Sequence, residues 1–194
     1  MDNLSYMSEY KFEYYGRAFK SMMEIANTPQ SYFWTNEKDD VIKYLRLFSK
    51  FISIDNLYGE RTPIFRMLNT DNITRQNQFC YIRNMLFGTL LEIINYAIMP
   101  DTFEISTDKI TIICNKYENY RNLKEDGYDL MTKSVMAFSD IMLRLELNPK
   151  GFKRCSTEGC YKILYVCKLG NYSINPNIKR CCKTCIEKLK NKKQ

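Results

Sequence analysis

The sequence predicts an all-α domain of about five to six helices, followed by a small treble-clef-like zinc finger with four cysteine ligands. Two observations predict the helical domain. Residues 1–149 carry apolar side chains at helical spacing in several long segments, and they contain no run of alternating strands. A third observation predicts the finger, because six of the eight cysteines lie between Cys155 and Cys185. We divide the chain into domains at 1–149 and 150–194.

Helical periodicity organises most of the first domain. Aromatic and aliphatic side chains recur three and four residues apart, which places them on one face of a helix. Gly127 separates the last two predicted helices, and Asn148-Pro149 ends the last one. The predicted helices cover residues 5–27, 36–54, 62–69, 72–98, 108–124 and 128–147. The stripes expected in the core are Tyr15, Phe19 and Met22, then Val41, Leu45, Phe48 and Ile52, and finally Val135, Phe138 and Met142.

The clustered cysteines favour a metal site over disulfides or a set of free buried thiols. The first twenty residues are polar and aromatic and lack the apolar centre of a signal peptide, so we expect a reducing compartment. No apolar stretch is long enough to span a bilayer, and no membrane association is predicted. In a reducing compartment, clustered cysteines bind metal more often than they form disulfides.

Four of these cysteines have the spacing of two zinc knuckles. Cys155 and Cys160 are separated by four residues, and Cys182 and Cys185 by two. Two such knuckles can bring four thiolates onto one tetrahedral ion, and thiolate ligands favour zinc. We therefore expect one structural Zn²⁺ per chain.

Two alternatives to this ligand set stay open. Cys181 can replace Cys182, and Cys167 can replace one member of either knuckle. We prefer Cys182 because two residues between ligands close a tighter knuckle than three. All six candidate cysteines lie in the same basic segment.

The residues between the knuckles predict a β-hairpin. Residues 161–169 are rich in aromatic and branched side chains, Gly170-Asn171 is a turn signal, and residues 172–180 can return as a second strand. Cys185 then opens a short helical pattern. Knuckle, hairpin, knuckle and helix follow one another as in a treble-clef finger. A module of this size buries little apolar area, so the metal must supply much of its folding energy.

The net charge of +7 is concentrated at the C-terminal end. Residues 150–194 hold twelve Lys or Arg against two Glu, whereas residues 1–149 hold seventeen basic and twenty acidic residues. Such a basic module is typical of nucleic-acid binding. Its last lysines, in "KLKNKK", also fit a nuclear-localisation signal or a solubilising end.

Basic and aromatic residues near the cysteines are the predicted nucleic-acid contacts. The cations are Lys153, Arg154, Lys162, Lys168, Lys179, Arg180 and Lys183, and the rings that could stack on unpaired bases or sugars are Tyr161, Tyr165 and Tyr172. A second cationic line follows one helix face, at Lys43, Arg46 and Lys50, and Arg75 and Arg83 form a further pair two turns apart. Nothing in the pattern specifies a base-reading helix, so we expect contact that is independent of sequence.

Little in the chain suits catalysis. Histidine, the commonest general base, is absent, and no phosphate-binding glycine loop or nucleophile motif occurs. Acidic pairs such as Asp39-Asp40 lie where helices begin, which favours a capping role. Cys80 and Cys114 lie in apolar helical surroundings and are interpreted as buried thiols. We predict that the protein is not an enzyme.

The helical body with a basic cysteine cluster ending in "CCKTCIEKLKNKK" resembles the small RNA-silencing suppressors of criniviruses, plant viruses of the closterovirus family. The resemblance lies in size, in an Asn-, Ile-, Tyr- and Lys-rich composition, and in the cysteine pattern of residues 155–193. It implies binding of double-stranded RNA, which keeps that RNA from the host silencing machinery, a zinc-held finger, and a helical oligomer. Large insect DNA viruses also encode small proteins with four-cysteine zinc sites.

The predicted function is therefore sequence-independent binding of double-stranded RNA by a viral suppressor of RNA silencing. We expect it in the host cytoplasm, with the nucleus as an alternative, as a homo-oligomer and with a host protein partner as further options. The competing hypothesis is a zinc-finger adaptor for protein interaction, or a viral transcription or regulatory factor. Salt dependence distinguishes the two, because phosphate contacts weaken steeply with salt and apolar protein contacts do not.

Overall fold

The computed structural model describes residues 3–52, 71–97, 125–167 and 181–191. These residues form five helices and a two-stranded sheet, so a mostly helical protein is confirmed. The elements are α1 (Asn3–Asn27), a 3₁₀ helix (Gln30–Phe33), α2 (Lys38–Ile52), α3 (Asn72–Ala97), α4 (Glu125–Arg144), a 3₁₀ helix (Pro149–Gly151), β1 (Phe152–Arg154), β2 (Ile163–Tyr165) and α5 (Lys183–Asn191). No helix within these ranges is long and apolar enough to cross a membrane.

The helix boundaries agree with the sequence pattern at most ends and differ at three. Helix α4 ends at Arg144, three residues before the predicted end. Helix α4 begins at Glu125, so Gly127 lies in its first turn and does not separate it from an earlier helix. Glycine weakens a helix chiefly when it lies in the middle, so the first turn tolerates it. Helix α5 begins at Lys183 and therefore contains Cys185 in its first turn. The predicted helices at 62–69 and 108–124 lie outside the described residues.

Local interactions account for several helix ends. Asp39 and Asp40 lie in the first turn of α2, where carboxylates stabilise the positive end of the helix dipole. Asp71 caps α3, because its Oδ1 accepts a hydrogen bond of 2.9 Å from the backbone N–H of Thr74. Helix α4 ends in a Schellman motif, in which Glu146 adopts a left-handed backbone with φ of 47°.

The helices enclose one hydrophobic core that contains the predicted stripes. Helix α1 packs against α2, α3 and α4. The aromatic rings of Phe48 and Phe79 stack with centroids 4.5 Å apart, and Phe33 packs beside both. The predicted core residues that are buried are Tyr15, Phe19, Met22, Leu45, Phe48, Ile52, Val135, Phe138 and Met142, while Val41 is partly buried at the edge.

The small sheet belongs to this same core. Strands β1 and β2 are antiparallel, with Phe152 opposite Tyr165 and Arg154 opposite Ile163. The ring of Phe19 on α1 lies 5.3 Å from the ring of Tyr165 and 6.3 Å from that of Phe152, measured between centroids. The core therefore continues across residues 149 and 150, and the division into two domains stays a prediction.

The structure shows a strand pairing that the sequence pattern did not predict. Within the described part of the strand predicted at 161–169, residues Ile163–Tyr165 form a strand, and they pair with Phe152–Arg154. The hairpin consequently surrounds the first pair of cysteines, because β1 precedes Cys155. The pairing holds the side chain of Phe152 against the helical core, where it is buried. Burial of this apolar ring stabilises the fold. The other predicted strand, at 172–180, lies outside the described residues.

Candidate metal centre

The first cysteine pair lies in the turn that joins β1 to β2. The backbone N–H of Cys155 donates to the carbonyl of Lys162 at 2.8 Å, which extends the strand pairing by one step toward the turn. The N–H of Cys160 donates to the carbonyl of Thr157 at 3.0 Å, which folds the residues between the cysteines into a tight turn. Gly159 completes that turn with φ of 73°, a conformation that glycine adopts without strain. The two thiols are thereby held on one short loop.

The second pair lies at the start of α5. Cys182 precedes the helix, and its carbonyl accepts a hydrogen bond of 3.0 Å from the N–H of Ile186. Cys185 lies in the first turn of the helix. The N–H of Cys182 also donates to Sγ of Cys155 at 3.3 Å. This hydrogen bond joins the second pair to the first.

The four sulfurs form a compact group. The Sγ atoms of the four cysteines lie within 4.8 Å of one another, and Sγ of Cys160 is 3.8 Å from Sγ of Cys182. A zinc ion with four thiolates at about 2.3 Å places neighbouring sulfurs about 3.8 Å apart. The donor set and its spacing are thus compatible with a bound metal ion. Cys155, Cys182 and Cys185 are buried, and Cys160 is partly exposed.

Close packing of the thiols separates their pKa values. Burial acts to raise the pKa of Cys155, but hydrogen bonds from the N–H groups of Cys182 and Thr157 and from the Thr157 hydroxyl lower it to about 6. Burial, together with hydrogen bonds to Cys185, Cys155 and Cys182, raises the pKa of Cys160 to about 12. One thiolate is therefore stabilised at the expense of its neighbours. A bound cation would offset the repulsion between thiolates that lie this close together.

The two alternative ligands lie outside this group. Sγ of Cys181 contacts the hydroxyl oxygens of Ser156 and Thr157 at 3.3 and 3.6 Å, so it rests against the first knuckle without joining the sulfur group. Cys167 packs against the main core. Among the cysteines in the described ranges, only the preferred four meet the geometry of a four-ligand site.

Four of the seven predicted cations of the finger lie within the described residues. Lys153, Arg154 and Lys183 are exposed, the first two on β1 and the third at the start of α5. Lys162 is partly buried, and its Nζ donates to Oγ1 of Thr184 at 3.3 Å. Lys183 also lies 4.0 Å from a carboxylate oxygen of Glu187, in an exposed pair that contributes little stability. The other predicted cations, Lys168, Lys179 and Arg180, lie outside the described residues.

The second predicted cationic line is also on the surface. Lys43, Arg46 and Lys50 are exposed on α2.

The other predicted cationic pair, Arg75 and Arg83, has a structural role, which corrects the expectation of a surface stripe. Arg75 is buried and donates to the side chain of Asn72, and Arg83 is half-buried and donates to the carbonyl of Thr28 at 3.1 Å. Arg75 is thus paired within its own helix, whereas Arg83 reaches Thr28 because α3 packs against the 3₁₀ helix between α1 and α2.

The three candidate tyrosines have different surroundings. Tyr161 is 77% exposed. Tyr165 is buried in the core, and its hydroxyl oxygen accepts a hydrogen bond of 3.0 Å from the N–H of Asn148, so stacking on a base is wrong for this residue. Tyr172 lies outside the described residues. Cys80 is buried as expected, and burial raises the pKa of its thiol, while Cys114 lies outside the described residues.

Two residues that support the site escaped sequence reasoning. The side chain of Asn27 makes two hydrogen bonds with the backbone of Ile163, just beyond the first knuckle. A Cβ atom added to Gly151 would lie 2.6 Å from the ring of Tyr165, so the glycine permits the close approach of β2. An isolated Asn at a helix end and an isolated Gly after Pro-Lys carry no sequence signal of these contacts.

No family model, curated protein or solved structure matches this chain. The resemblance to crinivirus suppressors therefore stays a prediction. Evidence on function comes from the geometry of the site and from the charges around it.

Proposed function

We propose that this protein binds double-stranded RNA without regard to sequence, through a basic hairpin that a structural zinc ion holds in place. One observation carries the proposal. The hairpin β1–β2 and helix α5 supply the four clustered thiols, and the same two elements expose Lys153, Arg154 and Lys183. Cations on elements that share one metal centre keep fixed distances from one another. Lys153 and Arg154 are neighbours on a strand and point to opposite faces of the hairpin, so the hairpin can contact the phosphates of both strands of a duplex.

Zinc is the metal that suits the site best. Four thiolates with no other ligand form a closed tetrahedral shell, which is the usual form of a structural zinc site. When bound, zinc would neutralise the crowded thiolates and join the hairpin to α5. A knuckle in a hairpin and a ligand in the first turn of a helix are two parts of the proposed treble-clef arrangement.

The biological role follows from the resemblance. A protein that covers the phosphates of duplex RNA can withhold that RNA from a host silencing machinery. We therefore place the protein among viral suppressors of silencing, acting in the host cytoplasm or nucleus. Exposed Lys43, Arg46 and Lys50 on α2 would supply a second line of phosphate contacts, in the same chain or in another copy of an oligomer.

Binding measured as a function of salt tests the proposal. We expect the zinc-loaded protein to bind a duplex RNA more tightly than a single strand of equal length, with a steep loss of affinity between low and physiological salt. Replacement of Lys153 and Arg154 together by Ala should lower the salt slope by about two, one for each lost phosphate contact. The same loss should occur on unrelated RNA sequences.

A charge-matched control isolates the surface. Lys20 and Lys38 are exposed on α1 and α2, and neither belongs to the proposed contacts. Their joint replacement by Ala removes the same charge and should leave the salt slope unchanged. Failure of the wild-type protein, with full metal content, to bind duplex RNA at low salt would refute the proposal.

An adaptor that docks on a protein is the second candidate, and one observation favours it. Tyr32, Trp34 and Ile73 are large apolar side chains that are more than half exposed. Exposed aromatic residues are enriched in protein interfaces. This candidate predicts a partner whose affinity changes little with salt and falls when Trp34 is replaced by Ala.

A further inference from the structure

Tyr161 is the most exposed large apolar side chain in the described part of the chain, at 77%. It directly follows Cys160, one of the four clustered thiols, and directly precedes Lys162. The backbone is held on both sides of it. The N–H of Cys160 donates to Thr157, and the carbonyl of Lys162 accepts from Cys155. The aromatic ring is thus presented to solvent from a fixed backbone.

The charges of this hairpin favour an anionic ligand. Lys153 and Arg154 are exposed on β1, and Lys162 is the next residue along the chain after Tyr161. Glu158 in the knuckle turn is the nearest acid along the sequence. An exposed aromatic ring on a hairpin that carries these cations matches a nucleotide, which offers a flat apolar base and a negative phosphate together. A base inside a duplex has its faces covered by its neighbours, so this ring can stack only on an unpaired base.

We infer that Tyr161 stacks on an unpaired base next to the duplex that the basic hairpin binds. The preferred RNA is then a junction, in which a double-stranded part meets an unpaired nucleotide. This inference rests on the proposed function and adds the class of RNA to it. Tyr161 contacts the base, and the cations of β1 contact the phosphates.

Three RNA probes test the inference. The first is a blunt duplex, the second is the same duplex with a four-nucleotide unpaired tail, and the third has a tail of four abasic nucleotides. The abasic tail keeps the phosphates and removes the bases. We expect the wild-type protein to bind the tail with bases about tenfold more tightly than the abasic tail, which is typical for one stacked base. Tyr161→Ala should reduce this ratio to about one.

Matched variants separate stacking from folding. Tyr161→Phe keeps the ring and should keep the tenfold ratio, whereas Tyr161→Leu keeps apolar volume without aromaticity and should lose most of it. Met136→Ala removes a large apolar side chain that is 50% exposed on α4, and it should leave the affinity ratio unchanged. Metal content is measured for every variant because Tyr161 adjoins Cys160. If Tyr161→Ala loses metal, the test is the affinity ratio of Tyr161→Leu compared with that of Tyr161→Phe.

The outcomes distinguish this inference from the proposed function. An equal affinity of the wild-type protein for the two tails, together with tight binding of the blunt duplex, overturns the inference and leaves the proposed function standing. Retention of the tenfold ratio by the variant that lacks the ring assigns the base contact to another residue and also overturns it. Absence of binding to all three probes overturns both.

Discussion

The side-chain amide of Asn27 and the backbone of Ile163 exchange two hydrogen bonds. Oδ1 of Asn27 accepts from the N–H of Ile163 at 2.7 Å, and Nδ2 donates to the carbonyl of Ile163 at 2.9 Å. The amide thus pairs with the edge of β2 as a neighbouring strand would. This contact joins the end of α1 to the strand that follows the first knuckle.

Removal of the Asn27 amide should destabilise the whole fold. In Asn27→Asp a carboxylate oxygen faces the carbonyl of Ile163, so one hydrogen bond is lost and two acceptors oppose each other. We expect a loss of about 1–3 kcal/mol in the free energy of unfolding, measured by chemical denaturation. Asn95→Ala, at an exposed position of α3, is the control and should cost under about 1 kcal/mol. Equal stability of Asn27→Asp and wild type would contradict the assigned role.

Metal content should separate the cysteines into two groups. Cys155→Ser, Cys160→Ser, Cys182→Ser and Cys185→Ser should each lose the metal, since hydroxyl groups are poor ligands for a soft ion. Cys181→Ser and Cys167→Ser should keep it, because their sulfurs lie outside the compact group. Elemental analysis of the purified variants gives the answer. Loss of metal in the Cys181 variant together with retention in the Cys182 variant would show that Cys181 is the ligand and Cys182 is not.

Chelation of the metal should lower the stability of the helical core as well as of the hairpin. Phe152, Ile163 and Tyr165 belong to the main core, so disorder in the hairpin uncovers Phe19 on α1. We expect the melting temperature followed by helical circular dichroism to fall by several degrees on chelation, because metal binding supplies folding free energy. Cys155→Ser should lower the melting temperature of the chelated protein no further. An unchanged helical melting curve after proven metal loss would show that the hairpin folds independently.

Two glycine replacements should change stability in opposite directions. In Gly151→Ala the new Cβ would lie 2.6 Å from the Tyr165 ring and 2.9 Å from Sγ of Cys167, so packing must shift at a cost of roughly 1–3 kcal/mol. Gly16 lies within α1 with no atom within 4 Å of the added Cβ. Gly16→Ala should therefore stabilise the protein by up to about 1 kcal/mol. Denaturation midpoints of both variants provide the test, and the same sign for both would contradict it.

Relief of the left-handed backbone at Glu146 should stabilise the end of α4. The N–H of Glu146 donates to Leu143, and the N–H of Leu147 donates to Met142 at 3.0 Å, which are the two hydrogen bonds of the Schellman motif. Glycine adopts this conformation without a Cβ penalty. Glu146→Gly should therefore raise the unfolding free energy by about 0.5–1 kcal/mol. Glu146→Ala keeps the strain and should not produce this gain.

Much of the helical architecture could be predicted from the sequence because helices depend on neighbours three and four residues apart. The stripe of Leu45, Phe48 and Ile52 is buried, and the cations on the opposite face of the same helix are exposed. The compact sulfur group could also be predicted, since each pair of cysteines needs only a local turn and two such knuckles have the spacing of one shared metal ion. The position of Tyr161 beside Cys160 could be predicted as well, because the two residues are neighbours in the sequence.

The tertiary structure alone decided which residues meet across the chain. Asn27 and Ile163 are 136 residues apart, and their pairing depends on how α1 docks against the hairpin. The same docking buries Tyr165, which resembles the exposed Tyr161 in sequence, and gives β2 its partner in Phe152–Arg154. Arg83 is drawn to the carbonyl of Thr28 for a related reason. Burial and strand pairing depend on residues that are distant in sequence, because a side chain is covered only when a whole element packs over it.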